Sequence, residues 1–218
     1  MTLKALVFDF DGLMVDTEQP IYDAYCEIFA EHGEELPLRI WESIIGSTGH
    51  RDQLFVILEG MIGRPVDRDT LRESAREKHH TTANQLPAVD GLVQQIESAQ
   101  ALGLGLGVAS SSTAEWVAGH LGRLGLLHHF DVVCTREDVT NVKPDPELYR
   151  LAVARLGAEP TEALALEDSP NGITSAKAAG LFCVAIPNPL TSQMELGHAD
   201  MQVATLANLS LTDIAARF

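Results

Sequence analysis

Asp9 and Asp11 stand one residue apart at the end of an apolar run, and Asp16 follows within the same stretch, "ALVFDFDGLMVDTE" (residues 5–18). If a strand continued through them, its two-residue period would put both side chains on one face, close enough to repel. Two unit charges about 4 Å apart cost roughly 1 kcal/mol in water and about 4 kcal/mol near a protein surface. Such a cluster is tolerated where it binds a cation, shares a proton or splays into solvent.

Other chemistry-bearing residues end other apolar runs. Ser110 closes "LGLGVAS" (104–110), Glu167 and Asp168 close "ALALED" (163–168), and Lys143 precedes Pro144 on a connecting loop. Hard oxygen donors of this kind suit Mg²⁺, which takes one or two carboxylates, waters and a substrate phosphate oxygen. A lysine, a serine hydroxyl and a nearby helix start add donors for an anion. The set points to phosphoryl transfer, with metal, lysine and dipoles stabilising charge and an aspartate available as nucleophile.

These residues converge only if the runs that carry them lie side by side. "KALVFD" (4–9), "LGLGVAS", "FDVVCT" (130–135), "ALALED" and "FCVAIP" (182–187) are continuous apolar runs, which predict strands buried on both faces. Helical patterns separate the last four. "STAEWVAGHLGRLG" opens on a Ser112/Glu115 capping box, "DPELYRLAVARLG" on Asp145 as N-cap, and "SPNGITSAKAAG" ends at Gly180. The alternation predicts a doubly wound, Rossmann-like parallel α/β sheet, whose ligands bind beyond the carboxyl ends of the strands.

Between the first two strands lies a segment too long for a loop, with helical patterns near 18–32, 38–45, 50–62 and 67–85. It predicts an α-helical cap domain at 16–87, inserted into a catalytic core formed by 1–15 and 88–218. Within it, Asp16 suits the N-cap of the first helix. The small-residue loop "GSTGHRDQ" (46–53) offers His50 and Arg51 for substrate specificity. His79 and His80 fall on a charged helical face, "RESAREKHH", and read as solvated. Asn171 and Gly172 fit close packing at a helix start.

Composition narrows the function classes. The 218 residues are 45% hydrophobic and carry a formal net charge of −16, a field that repels nucleic acid and anionic lipid. No apolar run reaches the roughly 20 residues of a membrane span, and the early aspartates disfavour a signal peptide, so a cytoplasmic location is expected. Cys26, Cys134 and Cys183 are far apart and lack metal-ligand spacing; they read as buried free thiols.

In order along the chain, "FDFDGL", "VASSS", "VKPDPELY" and "LEDSPNGI" resemble the four motifs of the haloacid dehalogenase superfamily. The match is closest to its beta-phosphoglucomutase-like phosphatase branch, with a helical cap after the first motif. The resemblance implies Mg²⁺-dependent hydrolysis of a small phosphorylated metabolite, a sugar phosphate or similar compound, through an aspartyl phosphate. It makes Asp9 nucleophile and metal ligand. Asp11 becomes the general acid and base and lends its backbone carbonyl to the metal. Ser110 and Lys143 become phosphate-binding residues, and Asp168, with Glu167 alongside or through water, completes the metal shell.

Other activities fit less well. Mutase relatives carry a histidine shortly after the first motif, and "DTEQPIYDAY" has none. Dehalogenase relatives lack an acid at the position of Asp11. A phosphonoacetaldehyde-type hydrolase needs an early cap lysine, and none lies between Lys4 and Lys78. A non-enzymatic phospho-receiver would need no helical insertion of this size.

Overall fold

The computed structural model describes residues 2–42 and 51–218. Its strands β1 (Ala5–Phe8), β2 (Gly105–Ala109), β3 (Val132–Cys134), β4 (Ala163–Glu167) and β5 (Phe182–Ala185) match the five apolar runs. A two-residue strand, β6 (Met201–Gln202), extends the edge. All pairings are parallel, in the order β3-β2-β1-β4-β5-β6. The chain therefore fills one side of β1 and then crosses to the other. The carboxyl ends of β1 and β4, where the direction changes, form the crevice at which ligands bind in such sheets.

Helices cover both faces. The even-numbered Leu6 and Phe8 of β1 face α5 (Leu92–Ala101), α6 (Ala114–Arg123) and the short α9 (Leu211–Ala215), in a core with Ile96, Val117, Leu121 and Ile214. Phe8 and Phe10 are fully buried there, each contributing roughly 1.5–3 kcal/mol. The odd-numbered Ala5 and Val7, with Ala163, Ala165 and Ala185, face α7 (Glu147–Arg155) and α8 (Pro170–Ala179) through Leu148, Ala152, Val153 and Ala176. Large side chains on one face and mainly alanines on the other let all the helices pack against a short-stranded sheet.

Between β1 and β2 run α1 (Glu18–Glu31), α2 (Leu38–Glu42), α3 (Asp52–Ile62) and α4 (Arg68–Ala83). They share an apolar cluster built on Ile21, Tyr25, Phe29, Trp41, Phe55 and Leu58. Among the described residues no helix is long and apolar enough to cross a membrane. Cys134 and Cys183 are buried and Cys26 half-buried, all three as free thiols.

Helix starts differ in detail from the sequence expectation. α6 is capped by Thr113, not Ser112: Thr113 is extended (φ −74°, ψ 153°), and its hydroxyl accepts the Trp116 backbone N–H. That position lies one residue later, and it frees the Ser112 hydroxyl. α7 begins at Glu147, whose N–H is accepted by the Asp145 carboxylate at 3.0 Å, so Asp145 supplies the expected capping contact.

Candidate active site

β1 stops at Phe8, and the Asp9 N–H still reaches the Leu166 carbonyl of β4 at 2.9 Å. Asp9 is thereby fixed at the switch point. The chain then turns through Gly12 (φ +84°), and Asp9 and Asp11 engage different partners instead of sharing one as neighbours on a continued strand. Asp9 points to the buried ammonium of Lys143, whose Nζ donates to Asp9 Oδ1 at 2.5 Å and to Glu167 Oε1 at 2.6 Å. The Tyr149 hydroxyl, from α7, also donates to Glu167 Oε1 at 2.6 Å. Although burial opposes it, the two carboxylates hold the Lys143 pKa above its ordinary value.

Asp168 lies next to this pair, at the end of β4. Its Oδ2 accepts the Asn188 side-chain N–H at 2.8 Å. Two glycines make room for the acids. A Cβ at Gly12 would overlap the Asp168 carboxylate, and one at Gly172 would overlap that of Glu167. The expected packing role of Gly172 is therefore seen directly.

Asp9, Glu167 and Asp168 each bring an oxygen to within 4.8 Å of the others, and all three are buried. With Lys143 the only cation bonded to this trio among the described residues, negative charge is in excess. Burial pushes Asp9 up to about 8 against the pull of Lys143, with Glu167 and Asp11 adding to the rise. Burial, then Asp9 and Glu167, also holds Asp168 well above the carboxylate range. A cluster of hard oxygens short of positive charge fits a divalent cation such as Mg²⁺. The Asp11 side chain lies outside this trio.

Asp11 is held instead by donors from three elements. Its Oδ1 accepts from the Thr17 hydroxyl at 2.7 Å and the Trp116 indole N–H at 2.8 Å, and its Oδ2 from the Ser112 hydroxyl at 2.5 Å. The Ser110 hydroxyl accepts the Ser112 backbone N–H at 3.0 Å and lies 3.4 Å from Asp11 Oδ2. The Ser111 hydroxyl is buried with no hydrogen-bond partner among the described residues, and Ser111 borders the crevice. The strand-end serines thus divide their work: Ser110 and Ser112 order the turn and Asp11, and Ser111 presents a free hydroxyl.

A chamber of about 890 Å³ opens over these residues and is also lined by α1, α3 and α4. Arg51 borders it, its guanidinium 5.9 Å from the centre of the Trp41 ring. His50 lies outside the described residues. The N-cap position of α1 is Thr17, which makes no side-chain capping bond, and Asp16, the expected cap, lies one residue before it. His79 and His80 are half-buried rather than solvent-exposed. Their rings lie 5.0 and 4.7 Å from that of Trp116, and His79 Nε2 is 3.1 Å from the Thr17 carbonyl. Charge in the sequence marked α4 as exposed, but the face carrying the histidines packs on α6.

The model of the haloacid dehalogenase-like hydrolase family matches residues 6–186. The chain belongs to that family. A relative from Bacillus subtilis named "Putative phosphatase YhcW" is 43% identical over 210 residues, covering 96% of this chain and 94% of the relative. Validoxylamine A 7'-phosphate phosphatase of Streptomyces hygroscopicus subsp. limoneus is 30% identical over 209 residues, covering 94% and 95%. The crystal structure of CbbY from Rhodobacter sphaeroides in complex with phosphate superposes with a TM-score of 0.75 at 27% identity, covering 95% of this chain and 96% of that one.

For this haloacid dehalogenase-like hydrolase, the expected family and α/β fold class hold, and the expected reaction class is that of the relatives named phosphatases. The structure brings Asp9, Lys143, Glu167 and Asp168 together and sets Asp11 and Ser110 beside them. Tyr149, Asn188 and Trp116 were missed as partners of the acids. Tyr149 falls within "VKPDPELY", six residues after Lys143, but Asn188 and Trp116 carry no local signal.

Proposed function

We propose that this chain is a Mg²⁺-dependent phosphatase of small phosphorylated metabolites, sugar phosphates or similar compounds, working in the cytoplasm through a phosphoester of Asp9. The observation that carries this reading is the sharing of Lys143 between Asp9 and Glu167, with Asp168 alongside. A nucleophilic carboxylate, a phosphate-neutralising cation and a metal-suited acid pair then meet at one point.

Asp9, Asp168 and Glu167, with the Asp11 carbonyl, would hold the metal, which supplies Lewis-acid charge at the phosphoryl oxygens when bound. The Asp9 carboxylate attacks phosphorus. An oxygen–phosphorus bond forms, the bond to the leaving oxygen breaks, and Asp11 gives that oxygen a proton. Lys143, Ser110 and the free Ser111 hydroxyl hold the phosphoryl oxygens. A water then passes a proton to Asp11 and attacks phosphorus, releasing phosphate and restoring Asp9.

We read residues 16–87 as the cap domain and 1–15 with 88–218 as the catalytic core. The separate apolar cluster of the four helices and their place over the chamber support that division. In such a design the core carries the chemistry and Arg51, with His50, meets the remote part of the substrate.

The test is a phosphate-release panel over sugar phosphates, nucleotides, phosphoglycolate and an aryl phosphate, with and without Mg²⁺. Release that depends on Mg²⁺ and ceases with a chelator is the expected result. Full activity after exhaustive chelation would defeat the metal assignment.

A further inference from the structure

We infer that Trp116 is a positioning residue for Asp11, its indole N–H fixing which oxygen of the carboxyl group carries the transferred proton. The inference rests on the reading of Asp11 as general acid and goes beyond it to a residue outside the four motifs.

Asp11 Oδ1 faces the Thr17 hydroxyl and the Trp116 N–H, and Oδ2 faces Ser112, with Ser110 behind it. Hydroxyls donate or accept by rotating, so Thr17 and Ser112 can follow either form of the carboxyl group. An indole N–H can only donate. While it lies 2.8 Å from Oδ1, that oxygen accepts, and because the carbonyl oxygen of a carboxyl group is a much better acceptor than its protonated oxygen, a proton on Asp11 is favoured on Oδ2. Oδ2 is the oxygen on the side of the Ser110–Ser112 turn, where phosphate is expected to bind.

The indole is itself held firmly. His79 and His80 of α4 pack against it at centroid distances of 5.0 and 4.7 Å, and His120 of α6 at 4.2 Å. Its backbone N–H is tied to Thr113, the cap of α6. The orientation of Asp11 therefore depends on how α4 docks on α6, a contact between the insertion and the core.

The experiment compares Trp116→Phe, which keeps an aromatic ring and loses the N–H, with Asp11→Asn and the wild type. kcat/KM is measured on alkyl phosphates, whose leaving oxygen needs a proton, and on 4-nitrophenyl phosphate, which does not. Trp116→Phe should lose about tenfold on the alkyl phosphates and less than about twofold on the aryl phosphate. Asp11→Asn should show the same pattern, larger. If Asp11→Asn falls equally on both substrates, the general-acid reading fails. If Asp11→Asn discriminates and Trp116→Phe loses equally on both, or on neither, the positioning role of Trp116 is overturned. Should Trp116→Phe not fold, replacing Trp116 with 3-benzothienylalanine keeps the ring shape without the N–H, and the same two ratios decide.

Discussion

Lys143 and Glu167 form a buried ion pair with Nζ to Oε1 at 2.6 Å, and the same ammonium reaches Asp9. One cation thus serves the proposed nucleophile and an acid of the proposed metal site. Lys143→Met should cut phosphate release by at least about 100-fold, as loss of a transition-state donor typically does. Because it also leaves two buried carboxylates without their cation, it should destabilise the metal-free protein by about 3–5 kcal/mol. Denaturant unfolding with and without Mg²⁺ checks the second effect, and Mg²⁺ should restore part of the loss.

The two acids at the end of β4 should behave differently. Glu167 Oε1 accepts from Lys143 and Tyr149, and Oε2 from the Asp168 N–H at 3.2 Å and the Ser169 hydroxyl at 3.3 Å. Asp168 is held by Asn188 at Oδ2. Asp168→Ala should raise the Mg²⁺ concentration for half activity more than Glu167→Ala, and Asn188→Ala should raise it by a smaller step. Mg²⁺ titration of the three variants gives the order, and the reverse order for the two acids would mean that the inner shell is wrongly assigned.

Much of this geometry was legible along the chain. The first five strands announced themselves as apolar runs, and Asp9, Ser110, Glu167 and Asp168 sat at the ends of three of them, with Lys143 on a loop, because parallel strands buried on both faces leave no room for charge except at their ends. β6 escaped because two residues, Met201 and Gln202, make no pattern. The partners of the acids escaped for another reason. Trp116 meets Asp11 across 105 residues and Asn188 meets Asp168 across 20, and no local periodicity records such meetings. Ser112 and Glu115 make a capping-box pattern in the sequence, and only the backbone shows that the cap is Thr113, one residue later.

Glu18 supplies a pH test that is independent of activity. It is buried, its Oε2 has no hydrogen-bond partner among the described residues, and burial raises its pKa from 4.5 to about 7, with Arg51 opposing. Between those values the folded state binds more protons than the unfolded state, so this group makes stability fall as pH rises. Glu18→Gln should stabilise the metal-free protein by up to about 3 kcal/mol at about pH 8, and the difference should vanish below about pH 4.5. Thermal unfolding of both proteins across that range measures it.

Arg51 tests the part played by the insertion. Arg51→Ala should narrow the preference among phosphorylated metabolites while sparing a small aryl phosphate, because the lost binding energy comes from the remote part of the substrate. kcat/KM across the substrate panel reads this out. Equal losses on both substrate types would point to damage in the core chemistry, and no loss on either would remove Arg51 from recognition.

In the proposed mechanism the phosphoryl group passes through a covalent bond to Asp9. Rapid acid quenching during turnover, followed by borohydride reduction, converts an aspartyl phosphate to homoserine, which peptide mass spectrometry locates. Homoserine is expected at residue 9, dependent on substrate and Mg²⁺, and absent from Asp9→Asn. Homoserine at another aspartate, or unmodified Asp9 in an enzyme shown to release a burst of alcohol before phosphate, would contradict it.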